Sequence, residues 1–276
     1  MGCRHGLSAP TVFLIKKGAL PTKRRLLTIL LLLLLLCGCG GGAEDAALPA
    51  LVIGSDDYAP YSYLDSDGFA GFDVELAEEA CRRLGYAPEF RRIAWEQKDA
   101  LLQSGEIDCI WGCFTMTGRE TLYCWAGPYA KSRQMVAVRT ESGIKNLAGL
   151  AGRRVAVQMT GKPEELFLTR PSENIPDVAA VYSFSSSAEI YAALRKDYVD
   201  AVAAHENALR TFVSGMPDSI VMLSEPLFVS ELGVAFAKDA GREELAEKLT
   251  ETLLAMEAEG FTAALAEKYG LAAAEG

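Results

Sequence analysis

Histidine is scarce in this chain. There are two, His5 and His205, and no two of the seven cysteines form a CxxC pair. A zinc site needs several such ligands at close spacing, so no metal is expected. No GxxxxGK[ST] loop is present to cradle nucleotide phosphates, and no cofactor is expected either. Basic side chains are outnumbered, with 27 Lys and Arg against 37 Asp and Glu and a formal charge of −10. That acidic balance argues against nucleic acid and anionic membrane surfaces as partners. The apolar run from Leu26 to Cys37, broken by Thr28, is too short for a comfortable bilayer span.

That run has the form of a targeting segment. Lys16, Lys17, Lys23, Arg24 and Arg25 precede it, and Leu36-Cys37-Gly38-Cys39 closes it. The closing residues resemble the lipobox of bacterial lipoproteins. The resemblance implies a cleaved leader over 1–38, lipidation of Cys39 and a flexible tether over 39–47. An ordinary cleaved signal or a retained anchor is the plain alternative. Loss of the leader removes six Lys/Arg and no acids, leaving 238 residues with 21 basic and 37 acidic side chains. That length permits one large domain or two modest lobes. Of the remaining cysteines, Cys81 and Cys109 suit small apolar core positions. An extracytoplasmic location permits a Cys109–Cys124 bridge without requiring one.

Apolar periodicity alternates between helix and strand, which predicts an α/β fold. Strands are expected at 51–55, around 107–111, and at 154–158, 178–183, 200–204 and 233–237. Helices are expected from Asp73, as cap, to a stop at Gly85, and at 96–104, 164–169, 188–196 and 206–213. Ser186 and Glu189 have the spacing of a capping box. Two segments, LQSGEIDCI (102–110) and LRKDYVDAV (194–202), share one pattern: a helix end, a tight turn, then a strand opening with aspartate. A unit used twice suits two lobes, although such patterns are common in α/β chains.

The stretch SGEIDCIWGCFTMTGRETLYCWAGPY (104–129) carries the chemistry. An apolar strand ends in a polar loop, and Arg119 is expected at the start of the next short helix. Gly112, Thr115, Thr117, Gly118 and Arg119 offer backbone N–H groups, hydroxyls and a five-donor fork, which is what a buried carboxylate needs. A solvated arginine paired with a surface acid is the other reading.

This stretch resembles the family 3 extracytoplasmic solute-binding proteins. The likeness continues through GSDDYAPYSYLDSDGFAGFDVELAEEACRRLGY (54–86), Trp95, WAGPYAKSRQMVAVR (125–139), LAGRRVAVQ (150–158), YVDAVAA (198–204) and EGFTAALAEKYG (259–270). It implies a two-lobed periplasmic-binding-protein-like type II fold, each lobe a mixed sheet flanked by helices. Lobe one would be 48–138 plus 238–276 and lobe two 139–237, crossing near 134–139 and 231–237. A ligand would sit in the cleft between them.

The resemblance makes Arg119 the carboxylate clamp, with Thr115, Gly112 and Cys113 around the same group. Tyr58 and Trp95 become aromatic walls, and Asp56 or Asp57 a partner for a cationic ligand tip or a turn cap. Across the cleft, Thr160-Gly161-Lys162-Pro163-Glu164 enters a helix whose first N–H groups attract anions. Lys162 departs from the family's neutral wording there, and its side chain is expected to point to solvent. His205 stands where relatives that bind α-amino acids place an acid. Three readings are open: Glu206 takes that role, the ligand lacks a free α-amine, or His205 faces the cleft and binding falls as pH drops.

The implied function is non-catalytic. A lipid-anchored extracytoplasmic receptor would capture an amino-acid-like solute and pass it to the permease and ATPase of an ABC importer. The alternatives are a lyase of the cyclohexadienyl-dehydratase type, with His205 or Glu206 as acid or base, and a sensory module.

Overall fold

The computed structural model describes residues 47–238 and 240–271. The leader 1–38, the lipidation candidate Cys39 and the tether up to residue 46 lie outside the described residues.

Two units of the same plan follow one another. In the first, β1 (Ala50–Ser55) leads through β2 (Tyr63–Leu64) and β3 (Phe69–Ala70) to α1 (Phe72–Leu84) and β4 (Ala87–Arg92). A 3-10 turn, Trp95–Gln97, then α2 (Lys98–Ser104) and β5 (Cys109–Ile110) complete it. The long β6 (Cys124–Arg139) carries the chain into the second unit: β7 (Arg154–Gln158), α3 (Lys162–Thr169), β8 (Ala180–Phe184), α4 (Ser187–Arg195) and β9 (Ala201–His205). After α5 (Glu206–Ser214) and β10 (Ile220–Met222), β11 (Phe228–Phe236) returns beside β6, and α6 (Glu243–Ala258) and α7 (Phe261–Lys268) follow.

The nine-stranded sheet runs β4-β1-β5-β11-β6-β9-β7-β8, with β10 added to β6. Its two ends match. β4, β1 and β5 are parallel, as are β8, β7 and β9, and each trio meets the β6–β11 pair antiparallel. The two segments of shared pattern occupy matching places. Gly105 (φ 76°) and Asp197 (φ 61°) make the left-handed turn after α2 and α4. Asp108 then donates its N–H to Val52 O at 2.8 Å and accepts from Val52 N at 2.9 Å. Asp200 does the same to Arg154, at 2.8 Å for both bonds. A carboxylate there satisfies the strand's first free N–H and fixes its register, which explains why both strands open on aspartate.

Side-chain alternation then fills a core on each sheet face. In the second unit Val136, Val138, Ala201 and Ala203 share one core, while Met135, Ala137, Val202 and Ala204 share the other. In the first, Cys81, Cys109, Trp111, Phe72 and Phe236 cluster on one side, and Trp95, Ile107, Ile110 and Phe114 on the other. The two-lobed, type II arrangement follows from these separate cores.

Several expected boundaries move. The helix expected at 96–104 begins as the 3-10 turn, and the strand around 107–111 is paired only over Cys109–Ile110. α1 is capped at Gly71, because the Asp73 carboxylate is used elsewhere. Where crossings between lobes were expected, Met135–Val138 belong to the second unit's cores, and Leu232, Val234 and Phe236 to the first's. The stretch between is polar and sits where Ser132 pairs with Ser230. Cys81, Cys109, Cys113 and Cys124 are all free thiols, so the Cys109–Cys124 bridge is not formed.

Gly233, at the irregularity in the β6–β11 ladder, ties this frame to the loop after β5 by donating to Phe114 O at 3.1 Å. A Cβ there would lie 2.9 Å from Trp125 Cε3 and 3.1 Å from Ala126 O. Gly233→Ala is expected to lower unfolding stability by about 1–3 kcal/mol, the range for forced overpacking, as read by urea denaturation.

Candidate functional site

The carboxyl ends of the strands in both units line one pocket, the general position for ligands in α/β sheets. Its walls include nine residues singled out from the sequence, namely Asp56, Tyr58 and Trp95; Gly112, Cys113, Thr115 and Arg119; Lys162 and His205, but not Asp57, Thr117, Gly118 or Glu206. Counting from the matched bonding residues Val52 and Arg154 makes Asp56 the counterpart of Gln158. Counting from Asp108 and Asp200 makes Cys113 the counterpart of His205. All four line the cavity, and Gln158 Nε2 donates to Asp56 Oδ2 at 2.5 Å, joining equivalent residues across it.

The loop after β5 is held in place from behind. Cys113 has φ 51°, an unusual value for a side-chain-bearing residue, and its N–H donates to Asp73 Oδ2 at 2.5 Å. Burial pushes the Asp73 carboxyl up to about 7 and the Cys113 thiol well above its usual value. The Cys113 side chain lies in the first unit's core, so the residue presents its backbone to the cavity wall. Thr115 is buried and forms a bridge with Leu232 of β11.

Arg119 lies in a run of turns, not at a helix start; its N–H donates to Met116 O at 2.8 Å. Trp125 Nε1 donates to Arg119 O at 3.0 Å, and the guanidinium lies 5.4 Å from the Phe114 ring centroid. The side chain is 8% exposed. Nε and Nη2 donate to Glu165 Oε2 at 3.1 and 2.9 Å, which leaves Nη1 and a second Nη2 proton uncommitted to that carboxylate. Glu165 belongs to α3 of the opposite lobe. Lys162, expected in solvent, is instead 6% exposed on the cavity wall, and its Nζ donates to Glu165 Oε1 at 2.6 Å. It is drawn inward by Glu165 and by the Phe228 ring, 5.1 Å away.

The other end is aromatic. Tyr58 is buried with its ring edge-on to His205 at 6.0 Å, and its hydroxyl accepts from His205 N at 3.1 Å. Trp95 meets Phe114 edge-on at 5.3 Å. Tyr191, also on the wall, stacks on Phe212 at 4.1 Å. Between these rings stands Asp56, whose carboxyl burial pushes up to about 6 despite the bond from Gln158. Asp57 is not on this wall.

His205 is buried, with Nδ1 2.9 Å from Ser132 Oγ and Nε2 2.8 Å from Gln134 Nε2. Burial and, secondarily, Arg119 lower its pKa to about 3, so the ring is neutral at physiological pH. It therefore does not titrate where a fall in binding was one of the open readings. Glu206 does not take the acid role either. It is 2% exposed, accepts from Arg133 at 2.7 Å and from Arg210 at 2.7 Å, and is absent from the cavity wall. Sequence reasoning missed Gln158, Tyr191 and Glu165. Gln158 was reachable from the repeat, being the counterpart of Asp56. Glu165 shows an i,i+3 spacing to Lys162, but nothing local signals its bond to Arg119, 46 residues away.

Among the described residues no cluster of His, Cys, Asp and Glu could hold a metal, and no helix is long and apolar enough to cross a membrane.

Comparisons with known proteins agree with this architecture. The chain is similar to the L-cystine-binding protein TcyJ of Escherichia coli K12, 28% identical over 79% of this chain and 82% of the relative. A solved ancestral arginine-binding protein bound to arginine superposes with a TM-score of 0.71 at 27% identity, over 80% of this chain and 97% of that one. An ancestral amino acid-binding protein described as a precursor of cyclohexadienyl dehydratase gives a TM-score of 0.70 at 26% identity, covering 80% and 95%. The family model for bacterial extracellular solute-binding proteins, family 3, matches residues 51–272, nearly the whole of the described chain. The chain belongs to that family.

Proposed function

We propose that this chain is a lipid-anchored extracytoplasmic receptor for an amino-acid-like solute, delivering it to the permease of an ABC importer powered by its ATPase. The observation that carries the reading is charge arrangement: a guanidinium (Arg119) and a carboxylate (Asp56) line one pocket together with aromatic rings. Such a wall suits a guest with a carboxylate at one end and an ammonium or guanidinium at the other, its stem held between Tyr58 and Trp95. Because His205 is neutral and Glu206 is committed to two arginines, Asp56 is the acid left to meet the guest's cation. Relatives named for cystine and arginine binding support an amino acid as guest. The lipobox at Leu36–Cys39 supports lipidation of Cys39 and attachment to the membrane by that lipid alone. The polar passage at Ser132 and Ser230 is the proposed boundary between lobes.

The test is a binding screen on residues 40–276. L-arginine, L-cystine and L-histidine are compared with agmatine, which lacks the carboxylate, and glutarate, which lacks the cation. At a hundred times its Kd, a true ligand adds about 2.7 kcal/mol of stability. Amino acids are expected to stabilise and both half-ligands to fail. Stabilisation by glutarate alone would overturn the zwitterion reading, and no response to any amino acid would overturn the receptor.

A lyase on this scaffold is the second reading, favoured by the dehydratase precursor among the structural neighbours. Against it, His205, pulled down to about 3, is a weak base whose ring nitrogens already have partners, and Glu206 lies off the cavity. Turnover of the bound amino acid on overnight incubation would reinstate it.

A further inference from the structure

Among the described residues Glu165 is the carboxylate paired with the clamp, and it touches two cations at once. Oε2 accepts from Arg119 and Oε1 from Lys162. Arg119 and Lys162 are 8% and 6% exposed, so water screens them weakly. Burial works against ionisation of Glu165, but Lys162 and Arg119 outweigh it and keep its carboxyl below the ordinary range. Lys162 is seated firmly: a Cβ at Gly118, where φ is +79°, would lie 2.9 Å from its Nζ. The other charges nearby have their own partners. Lys98 donates to Asp99 and Thr160, Glu164 accepts from Thr160 N and Ser183, and Glu120 accepts from Gly118 N.

We propose that Glu165 is a specificity-determining residue that sets the charge of the anion end. It cancels one of two buried cations and fixes the guanidinium from the far side of the cleft. The site then presents one net positive charge and the open edge of Arg119, and accepts a single carboxylate. A dianion would bring a second negative charge toward Glu165, whose side chain is 37% exposed, a like-charge contact that disfavours the dianion even after screening by water. This deepens the amino-acid reading and rests on it for the identity of the natural guest, while the charge assignment itself is testable with inorganic ions.

The experiment compares sodium sulfate with sodium chloride at matched ionic strength on wild type, Glu165→Gln, Glu165→Asp and the double variant Lys162→Gln/Glu165→Gln. Thermal unfolding and calorimetric titration are read. Glu165→Gln leaves two cations uncompensated and is expected to bind sulfate at least tenfold tighter than wild type. Glu165→Asp keeps the charge and is expected to behave as wild type. The double variant restores the original charge sum and is expected to lose the gained sulfate response, which a merely structural role for Glu165 would not produce. Equal sulfate binding by wild type and Glu165→Gln, or a double variant that still binds like Glu165→Gln, overturns the proposal. Should Glu165→Gln fail to fold, the double variant and Glu165→Met carry the comparison. The amino acid screen separates the two readings. If wild type binds no amino acid, the receptor assignment falls while the sulfate contrast still decides Glu165; if it binds one without the contrast, Glu165 alone is wrong.

Discussion

Arg119→Ala is expected to abolish amino acid binding while leaving cooperative unfolding intact. The guanidinium is buried and retains N–H groups that Glu165 does not use, and the Arg119 backbone is held by the bond its carbonyl accepts from Trp125 Nε1. Truncating one partner of a buried, hydrogen-bonded charge pair typically costs about 2–5 kcal/mol, or roughly thirtyfold to several thousandfold in Kd. The loss has two sources. The ligand's carboxylate is left desolvated with fewer donors, and Glu165, behind the wall, keeps only Lys162 to balance it. Arg119→Lys separates charge from geometry: it keeps the cation but not the planar fork, and an intermediate affinity is expected. Isothermal titration with the best amino acid of the screen measures both. An unchanged Kd in Arg119→Ala would place the carboxylate elsewhere in the cavity.

Much of this site was legible in the sequence because it is local in form. The strand ends that build it are marked by glycine, proline and aspartate at positions with backbone reasons to be there. The aspartates opening 108–110 and 200–202 proved to be one device used twice, each bonding both backbone groups of the neighbouring strand. What was not legible is contact across the cleft. Nothing near Lys162 in the sequence shows that Phe228, Gly118 and the Glu165–Arg119 pair would draw its ammonium inward. Asp73 likewise reads as a helix cap, and only the fold shows its carboxylate under the strained Cys113 backbone. The apolar stretches at 134–139 and 231–237, where crossings between lobes were expected, fill cores with their side chains, and the polar serines lie between them.

Asp56→Asn is expected to make the ligand-free protein more stable at pH 7.5 while removing its affinity for cationic amino acids. Burial raises the Asp56 carboxyl from 3.8 to about 6 even with Gln158 donating to it. A raised carboxyl favours the protonated form in the folded state. Its stabilising contribution is therefore full below about pH 4 and is lost as pH rises through 6. At pH 7.5 the ionised group costs on the order of 3 kcal/mol, and a neutral amide avoids that cost while still accepting from Gln158. Asp73, pushed up to about 7 by burial, lowers the stability of both proteins over a similar range and cancels from the comparison, so the difference set by Asp56 should vanish near pH 4 and open toward neutrality. Urea denaturation at pH 4.5 and 7.5 reads this difference. Binding must show the opposite dependence. A guest's cation needs the ionised carboxylate, so wild-type affinity for arginine should weaken below pH 6, approaching tenfold per unit, and Asp56→Asn should be weak and nearly flat over the same range. The destabilising charge is then the binding device: the empty site bears an uncompensated carboxylate that the right guest neutralises. An Asp56→Asn protein that is less stable at pH 7.5, or that binds arginine as wild type does, would remove Asp56 from that role.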